Sequence, residues 1–299
     1  MRVATIGLGD IARKAYLPVL TATPGVTPVL VSRRRATVDE VGERYRVPDR
    51  FTSLEQAIDS GLDAATVHAP TEVHPQIVST LLRAGVPVLV DKPIASEYQV
   101  AAEVVALARD LGVSLAVGFN RRYAPAYRAL ADWPDRDVVT LQKHRAHELG
   151  PARPMVYDDF IHVVDALRFL VPSPLEDLTV SVRRDAAGRS RRLAVRFTGE
   201  GRLATGVMSW TAGMAHELLD VVGEDRRRQV VDVADVVDLL GEERLVRRDG
   251  WRPATELRGF EAMCADFLAA VREGRLLDAT DALTTHAVCE RVVQAAEGD

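Results

Sequence analysis

Residues Arg2-Val-Ala-Thr-Ile-Gly-Leu-Gly-Asp-Ile-Ala12 decide the fold of this chain of 299 residues. They read as a short apolar strand, the string G-x-G-x-x-A and the start of a helix with regularly spaced apolar residues. Gly7 permits a tight turn, Gly9 lets the main chain approach a pyrophosphate, and Ala12 lets the helix pack closely on the strand. The unpaired N–H groups at a helix start attract an anion. The stretch therefore predicts a dinucleotide-binding fold, with an ordinary strand–helix turn as the alternative.

The composition is that of an ordinary globular protein, with 47% hydrophobic and 27% charged residues and a net charge of −5. This balance argues against nucleic acid or an anionic membrane as the main partner. The apolar stretches are shorter than the roughly 20 residues of a membrane span, and the N-terminus has no charged-then-apolar leader, so we expect a soluble, cytoplasmic protein. Cys264 and Cys289 lie far apart, without a C-x-x-C string or a nearby histidine cluster, which predicts neither a disulfide framework nor a metal site.

Lysine is scarce in this chain, since only Lys14, Lys92 and Lys143 occur among the 38 basic residues. Where arginine serves almost everywhere, a remaining lysine is more expected at a position that needs a compact, deprotonatable amine. For Lys14 the alternative, a residue left over without a special role, is equally open.

Up to about residue 120, short apolar runs alternate with helical patterns. The runs span residues 3–6, 27–31, 64–67, 86–90 and 114–117, and the clearest helical patterns span 72–84 and 96–111. Continuous apolar strands separated by helices are typical of a parallel sheet covered on both faces. Gly85 and Gly112 follow the two helical patterns, where C-terminal caps are expected. We therefore predict a Rossmann, doubly wound parallel sheet over residues 1–120.

After residue 123 the pattern changes to strands with period-two alternation. Predicted strands span 138–144, 175–182, 191–197, 203–210 and 216–222, with shorter ones to about 246, and predicted helices span 124–130, 158–170, 258–272 and 281–295. Such a run of strands indicates an antiparallel sheet with one packed face. The prediction for residues 121–299 is thus an α+β domain with a large, mostly antiparallel open sheet, and the fold class of the whole chain is α/β.

The end of the second predicted strand distinguishes the two nicotinamide nucleotides. Sites that prefer NAD place Asp or Glu there to bind the ribose 2′-hydroxyl. This chain has Ser32, Arg33 and Arg34 at that point and no acid before Asp39. Serine and arginine can bind a 2′-phosphate, so we predict preference for NADP(H), with NAD(H) still possible. The alternative is that the arginines form a solvated start of the next helix.

Two further strings carry titratable groups suited to chemistry. Lys92 follows a buried strand and Asp91, which puts it at the carboxyl edge of the parallel sheet, where ligands bind. Asp158 and His162 are four residues apart on a predicted helix, so a carboxylate lies next to an imidazole, as a general base requires. Asp165 follows three residues later on the same predicted face. The alternatives are a strand-end cap for Lys92 and a surface ion pair for the helix.

Over nearly its whole length the chain resembles the Gfo/Idh/MocA family of NAD(P)-dependent oxidoreductases, and within it the MviM-type branch, the so-called virulence factors. The strings that carry the resemblance are Gly7-Leu-Gly-Asp-Ile-Ala12, Ala15-Tyr-Leu-Pro18, Pro70 with His74, Gly85-Val-Pro-Val-Leu-Val-Asp-Lys-Pro93, Gly118-Phe-Asn-Arg-Arg-Tyr-Ala-Pro125, Lys143-His-Arg145 and Asp158-Asp-Phe-Ile-His-Val-Val-Asp165, with a weaker match at Gly250-Trp251.

The resemblance implies roles for particular residues. Lys92 matches the lysine of the family's E-K-P motif, which contacts the nicotinamide ribose and the substrate; His162 matches the acid/base histidine and Asp158 the acid four residues before it. The chain departs from the family at Asp91, where the motif has Glu, and at Phe160, where many members have glycine. A bulky ring at that turn would narrow the site or shift the helix.

The residue roles that follow fall into three sets. Catalytic residues are Lys92, His162 and Asp158. Cofactor-binding residues are Gly7, Leu8, Gly9, Asp10, Ile11, Ala12, Ser32, Arg33, Arg34, Ala69, Pro70, Thr71, His74, Asp91, Lys92 and Asn120. Substrate-binding residues are Asn120, Arg121, Lys143, Asp158 and His162.

The function expected from these roles is hydride transfer between NADP(H) and a carbinol or ketone of a sugar, cyclitol or related polar substrate. The alternatives are a non-catalytic, NADP-binding regulatory protein and a redox-neutral lyase or glycosidase with tightly bound cofactor. The resemblance also implies a homodimer formed through the C-terminal sheet.

Overall fold

The computed structural model describes residues 1–173, 175 and 177–298. The chain forms two compact units. The first consists of Met1–Gly118 and Phe260–Thr284; the second consists of Phe119–Gly259 and Thr285–Asp299, apart from the three residues outside the description. Neither unit is one continuous segment, whereas the sequence analysis divided the chain once, near residue 120.

The first unit is built on a parallel sheet, which confirms the predicted doubly wound class. Its six strands in the described residues have the order β3-β2-β1-β4-β5-β6. They are β1 Arg2–Ile6, β2 Thr27–Val31, β3 Arg50–Phe51, β4 Ala64–Val67, β5 Val88–Val90 and β6 Leu115–Val117. The central strands β4 and β5 are buried throughout because helices cover both faces, which is why the sequence shows continuous apolar runs there.

Helices connect these strands and end where the sequence supplies caps. They are a π-helical turn Ala12–Tyr16 continued by α1 Leu17–Ala22, then α2 Arg35–Tyr45, α3 Leu54–Asp59, a 3₁₀ turn Thr71–Val73 continued by α4 His74–Arg83, and α5 Tyr98–Leu111. Helix α5 ends at Gly112, whose φ of 63° is the left-handed conformation that glycine adopts without steric cost.

The second unit contains a mixed sheet with eight strands in the described residues, in the order β14-β13-β12-β11-β7-β10-β9-β8. They are β7 Val138–His144, β8 Thr179–Arg184, β9 Ser190–Gly199, β10 Arg202–Ser209, β11 His216–Val222, β12 Arg227–Val231, β13 Asp235–Leu240 and β14 Glu242–Val246. Only the β7–β10 pair is parallel among these described strands. The strand predicted over 175–182 begins at Thr179; Glu176 lies outside the described residues.

One face of this second sheet is covered by a helix. The helices of the unit are α6 Pro125–Ala131, the short α7 Ala152–Pro154, a π-helical turn Met155–Phe160 continued by α8 Ile161–Leu170, and α9 Ala254–Leu257. Helix α8 packs so tightly on β10 that a Cβ at Gly206 would lie 2.6 Å from Val163 Cγ1 and 2.7 Å from Leu167 Cδ1. Buried positions therefore alternate along β7 and β10, as the period-two pattern predicted.

Residues 260–284 return to the first unit, and residues 285–298 belong to the second. Helix α10 (Phe260–Glu273) begins with Phe260, whose ring makes an edge contact with the Tyr16 ring at 5.4 Å. The Leu115 N–H donates a 3.0 Å hydrogen bond to the Leu277 carbonyl, so residues after α10 cover the outer edge of β6. Helix α11 (Thr280–Glu297) ends the described chain, and no helix among the described residues has an apolar run sufficient to span a bilayer.

Candidate active site

Two glycines of the N-terminal turn are required for different reasons. Gly7 has φ of +86°, and a Cβ there would lie 2.5 Å from the Ala69 nitrogen, so the protein's own packing excludes a side chain. Gly9 has an ordinary φ and is exposed, and a Cβ there would meet nothing within 4 Å. Ala12 is fully buried, in keeping with the close helix–strand packing predicted for it. The space beside Gly9 is thus open to a ligand, as a pyrophosphate cradle requires.

The residues between the glycines attach this turn to the core. Leu8 packs among the buried Leu30 and Val38, while its carbonyl accepts a 2.9 Å hydrogen bond from Arg13 Nε. Asp10 is exposed and forms a 2.9 Å ion pair with Lys14. Lys14 therefore takes part in a solvent-exposed ion pair, which contributes at most about 1 kcal/mol to the stability of the fold. Ile11, the remaining residue of the turn, is half-buried.

The end of β2 presents cationic side chains to solvent. Ser32 is half-buried and Arg33 and Arg34 are exposed, and within the described part of the chain neither arginine has an ion pair. Asp39, the first acid after β2, lies on α2 within 3.7 Å of Arg35 and 3.8 Å of Arg50. Its charge is therefore already engaged by cations of the protein.

His74 connects the loops that follow β4 and β5. Its ring is buried, with Nε2 2.7 Å from the Ala69 carbonyl and Nδ1 2.8 Å from the Pro93 carbonyl. In this arrangement His74 holds the two loops together, and both ring nitrogens are occupied by main-chain oxygens. Pro70 and Thr71 continue the first loop and lead into α4, with Pro70 exposed and Thr71 half-buried.

Asp91 and Lys92 end β5 at the carboxyl edge of the sheet, as predicted. Both residues are half-buried, and the Lys92–Pro93 peptide bond is cis. The Tyr16 hydroxyl donates to Asp91 Oδ1 at 3.3 Å, and burial raises the pKa of Asp91. A Cβ at Gly118 would lie 2.7 Å from the Tyr16 hydroxyl and 3.0 Å from Asp91 Oδ1, so this glycine leaves room for the pair.

His68, at the end of β4, is a buried histidine that the sequence analysis did not single out. Its ring stacks on Tyr16 with centroids 3.8 Å apart. Both ring nitrogens are buried without a hydrogen-bond partner among the described residues. Burial, with a smaller contribution from His74, lowers the pKa of His68 to about 3.

In the second unit Asn120 and Arg121 open the 3₁₀ turn Asn120–Tyr123, and both have protein partners. Asn120 Nδ2 donates to the Arg258 carbonyl at 2.8 Å. Arg121 donates to the two carboxylate oxygens of Glu217 at 2.7 and 2.6 Å, and the Tyr127 hydroxyl donates to the same carboxylate at 2.8 Å. Burial alone would raise the pKa of Glu217, but the Arg121 guanidinium outweighs it and holds that pKa at about 2.

Lys143 is buried near the end of β7 and is paired with Asp159. Its Nζ donates to Asp159 Oδ1 at 2.7 Å and to the Asp159 carbonyl at 3.3 Å, while Arg145 Nη2 donates to the same Oδ1 at 2.9 Å. Trp210 Nε1 donates to the other carboxylate oxygen at 3.3 Å. Burial and the nearby Arg121 lower the pKa of Lys143 to about 8. Burial would raise the pKa of Asp159, but Lys143 and Arg145 outweigh it and keep this pKa well below its usual range.

The residues predicted for proton transfer lie at the start of α8. Asp158 is exposed in the π-helical turn, and His162 is half-buried in the first turn of α8. Phe160 between them is fully buried, so its ring belongs to the core of this unit. Asp165 is buried and accepts hydrogen bonds from Nε and Nη2 of Arg122, at distances from 2.6 to 3.1 Å. Asp165 therefore has a structural partner of its own.

The first unit brings its predicted cofactor residues to one edge of the sheet, since they follow β1, β2, β4 and β5, which are parallel neighbours. In the second unit Lys143 and Arg121 lie in one charged cluster, whereas the Asn120 side chain donates to the main chain of Arg258. Three partners were missed: Tyr16, Asp159 and Glu217. None of the three left a signal in the sequence, because each contact joins side chains from different elements of the fold.

Two family models and several relatives match this chain. Residues 1–119 match the model of the oxidoreductase family with NAD-binding Rossmann fold, Gfo/Idh/MocA, and residues 125–242 match the YceM-like C-terminal domain. A Salmonella typhimurium protein named as the oxidoreductase YceM is 32% identical over 277 residues, covering 91% of this chain and 90% of that protein. An inositol 2-dehydrogenase of Acidiphilium cryptum is 30% identical over 211 residues, covering 66% of this chain and 60% of that protein.

Solved structures match over the full length. A Gfo/Idh/MocA family oxidoreductase of Vibrio cholerae has a TM-score of 0.92 and 30% identity and covers 99% of both chains. The dehydrogenase MviM of Clostridium difficile has a TM-score of 0.91 and 24% identity, again over 99% of both chains, and shows the same fold.

The chain belongs to the Gfo/Idh/MocA family, in agreement with the predicted resemblance. It is an NAD(P)-dependent oxidoreductase with a YceM-like C-terminal domain and the fold of the MviM dehydrogenase.

Proposed function

We propose that this protein is an NADP(H)-dependent oxidoreductase that interconverts a carbinol and a ketone on a sugar, a cyclitol or a similarly polar substrate. The observation that supports the cofactor choice is that Ser32, Arg33 and Arg34 follow β2, the strand whose end meets the adenine ribose in dinucleotide-binding folds of this kind. The inositol dehydrogenase among the relatives supports the substrate class.

The cofactor half of the proposal rests on charge. A 2′-phosphate needs donors and positive charge, and it is repelled by a carboxylate. Arg33 and Arg34 are exposed and have no ion pair in the described part of the chain, while Asp39 is engaged by Arg35 and Arg50. These arginines are therefore available to a phosphate.

The first unit also fits a dinucleotide along the carboxyl edge of its sheet. The space beside Gly9 is open to the pyrophosphate, and Leu8 fixes the turn by packing in the hydrophobic core of the first unit. The loops containing Ala69, Pro70 and Thr71 and the pair Asp91–Lys92 would hold the nicotinamide half. Acceptance or donation of a hydride at nicotinamide C4 is the chemistry that the bound cofactor supplies.

The proposed proton carrier is His162, with Asp158 one helical turn before it. In oxidation the imidazole takes the hydroxyl proton, and in reduction it returns a proton to the oxygen. The Lys92 ammonium stabilises the negative charge that develops on that oxygen. His162 is half-buried and Lys92 is half-buried at the strand end, so each is accessible in its own unit.

Cofactor preference is tested by comparing kcat/KM for NADP and NAD in the wild type and in Arg33→Asp. We expect the wild type to prefer NADP and the variant to reverse that preference. Arg44→Asp is the matched control, because it makes the same charge change on an exposed arginine at the other end of α2. A wild type that prefers NAD contradicts the cofactor proposal.

The reaction is tested by following nicotinamide absorbance with a panel of polyols and their ketones. We expect His162→Asn to lower kcat by about 10²- to 10⁴-fold, the usual contribution of a general acid/base. His147→Asn, at an exposed histidine of the same unit, is expected to keep full turnover. Full activity of His162→Asn removes the proton carrier, and NADP binding without turnover of any substrate favours the regulatory alternative.

We also propose a homodimer through the C-terminal sheet. Large apolar side chains are exposed at the β13–β14 end of that sheet, including Leu240 (64% exposed) and Leu245 (48% exposed). Isolated exposed leucines are common, but two on adjacent strands of an open sheet favour an interface.

A further inference from the structure

The second unit contains a cluster of ionised side chains at the carboxyl end of β7, here called the cation cluster. Its members are Arg121, Lys143, Arg145, Asp159 and Glu217. Lys143 and Arg145 share Asp159, and Arg121 holds Glu217, which is the cross-strand neighbour of Lys143. Arg121 also acts electrostatically on Lys143, so these charges form one group.

The charges of the cation cluster do not balance. Three cations meet two carboxylates, which leaves one positive charge in excess. The side chains of Lys143 and Arg121 are each only 7% exposed, so solvent screens this excess poorly. Glu148 also acts electrostatically on Arg145, but it is exposed and makes no ion pair within the described residues.

The arginines of the cluster also have unused donors. Within the described residues Arg121 uses Nε and Nη2 to bind Glu217, and Arg145 uses only Nη2 to bind Asp159. Arg145 Nε is buried with no partner in the described residues, although the side chain as a whole is 38% exposed. An unsatisfied buried donor costs about 1–3 kcal/mol.

Another buried arginine of the same unit shows how such donors are satisfied when the role is structural. Arg136 donates to four main-chain carbonyl groups, those of Leu130, Ala131, Trp133 and Leu170. At Arg145, by contrast, no described main-chain oxygen accepts from Nε.

The cation cluster is built onto the helical turn that carries the proposed proton carrier. Asp159 adjoins Asp158 and lies three residues before His162, and its carbonyl accepts from Lys143. On a helix, residues three apart are neighbours. A group held by the cluster is thus held next to the turn on which His162 lies.

We propose that the substrate carries an anionic group, a carboxylate or a phosphate monoester, which Arg145 and Arg121 bind through their unused donors. This inference rests on the proposed function and narrows its substrate to acidic sugars or cyclitols. Guanidinium groups bind both anions through paired hydrogen bonds, and one added negative charge balances the cluster.

The test uses pairs of compounds in which one member carries an anionic group at one position: D-glucose with D-glucuronate and D-glucose 6-phosphate, D-galactose with D-galacturonate, and myo-inositol with its monophosphate. Binding to the NADPH-loaded protein is measured by calorimetry in wild type and His162→Asn, and turnover is measured in wild type. We expect at least one acidic compound to bind tenfold or more tightly than its neutral mate. Comparing the carboxylate compounds with the phosphate compounds shows which of the two anionic groups the site binds.

Arg145→Gln identifies the residue responsible. Loss of a charged hydrogen bond corresponds to a roughly 10- to 100-fold weaker binding of the acidic compound. We expect its KM to rise by that factor with kcat nearly unchanged, and the NADPH affinity to stay the same. Arg145→Lys, which keeps the charge, is expected to lose less, and Arg183→Gln at an exposed arginine is the matched control.

The outcomes separate this inference from the proposed function. Binding of neutral members as tightly as acidic ones, absence of binding by every acidic member, or a preference that survives Arg145→Gln overturns the anion site. Turnover of a neutral polyol that depends on His162 would then leave the proposed function standing. Acidic binding that Arg145→Gln abolishes, without turnover of any compound, supports the anion site and contradicts the proposed function.

Discussion

At the scale of single residues, Gly7 and Gly9 separate the requirements of the fold from those of a ligand. Gly7 has a positive φ and lies against the Ala69 main chain, whereas Gly9 has neither constraint. A sequence pattern cannot make this distinction, because both positions read simply as glycine. The structure shows that packing within the protein requires glycine at position 7, whereas no such packing requires glycine at position 9.

Alanine at these two positions is expected to give opposite results. Gly7→Ala places a Cβ 2.5 Å from a backbone nitrogen at φ +86°, so we expect a loss of roughly 2 kcal/mol or more in the free energy of unfolding. Gly9→Ala should leave the melting temperature unchanged and weaken NADP binding, since its methyl group enters only open space. Thermal melting and NADP titration measure the two effects. Normal NADP affinity in Gly9→Ala would remove the pyrophosphate role of that turn.

His68 is expected to make stability depend on pH. Its pKa is about 3 in the folded protein and about 6.5 when unfolded, so the unfolded state binds more protons between these values. Stability from this residue is therefore complete above pH 6.5 and falls as the pH is lowered toward 3, with a slope approaching about 1.4 kcal/mol per pH unit. His68→Leu should flatten this dependence in urea unfolding at several pH values, while His216→Leu should not. An unchanged slope in His68→Leu contradicts a buried neutral imidazole.

At the scale of elements, the Arg121–Glu217 pair joins the turn Asn120–Tyr123 to strand β11. Two charges this deeply buried are stable only together, because each compensates the lost hydration of the other. The same pair belongs to the cation cluster, so its loss would also change the electrostatic surroundings of Lys143 on β7.

Glu217→Gln is expected to destabilise the second unit by about 3–5 kcal/mol at neutral pH, the usual cost of leaving one buried charge unpaired. The wild-type pKa of Glu217 is lowered from 4.5 to about 2, so its stabilisation is complete above pH 4.5 and is lost as the pH falls toward 2. The difference between wild type and variant should therefore shrink across that range. Melting curves at several pH values measure it, with the exposed Glu242→Gln as control.

The elements also show what the sequence could predict and what it could not. The parallel strands and their capped helices were predictable because each depends on neighbours in the chain, such as Gly112 after α5. The helix predicted over 158–170 exists as α8, but it begins at Ile161, and the π-helical turn before it was not predicted. The partnerships of Lys143 with Asp159 and of Arg121 with Glu217 were out of reach, because they join different elements and leave no periodic pattern.

At the scale of the whole molecule, the proposed dimer makes a testable claim about the open sheet. Leu245→Glu on the exposed strand β14 introduces a charge into the proposed interface without touching the core. We expect this variant to sediment as a monomer and the wild type as a dimer in analytical ultracentrifugation. Leu276→Glu, at an exposed leucine of the first unit, should remain dimeric. A monomeric wild type contradicts the proposed assembly.

The return of residues 260–284 to the first unit has a practical consequence for anyone isolating the nucleotide-binding half. A gene fragment ending near residue 120, where the Rossmann family match stops, lacks the segment whose Leu277 carbonyl accepts from the Leu115 N–H. It would also leave Tyr16 without the Phe260 ring. The bare margin of β6 would then be free to pair with another molecule, and such a fragment is expected to precipitate unless residues 260–284 are fused back onto it through a linker.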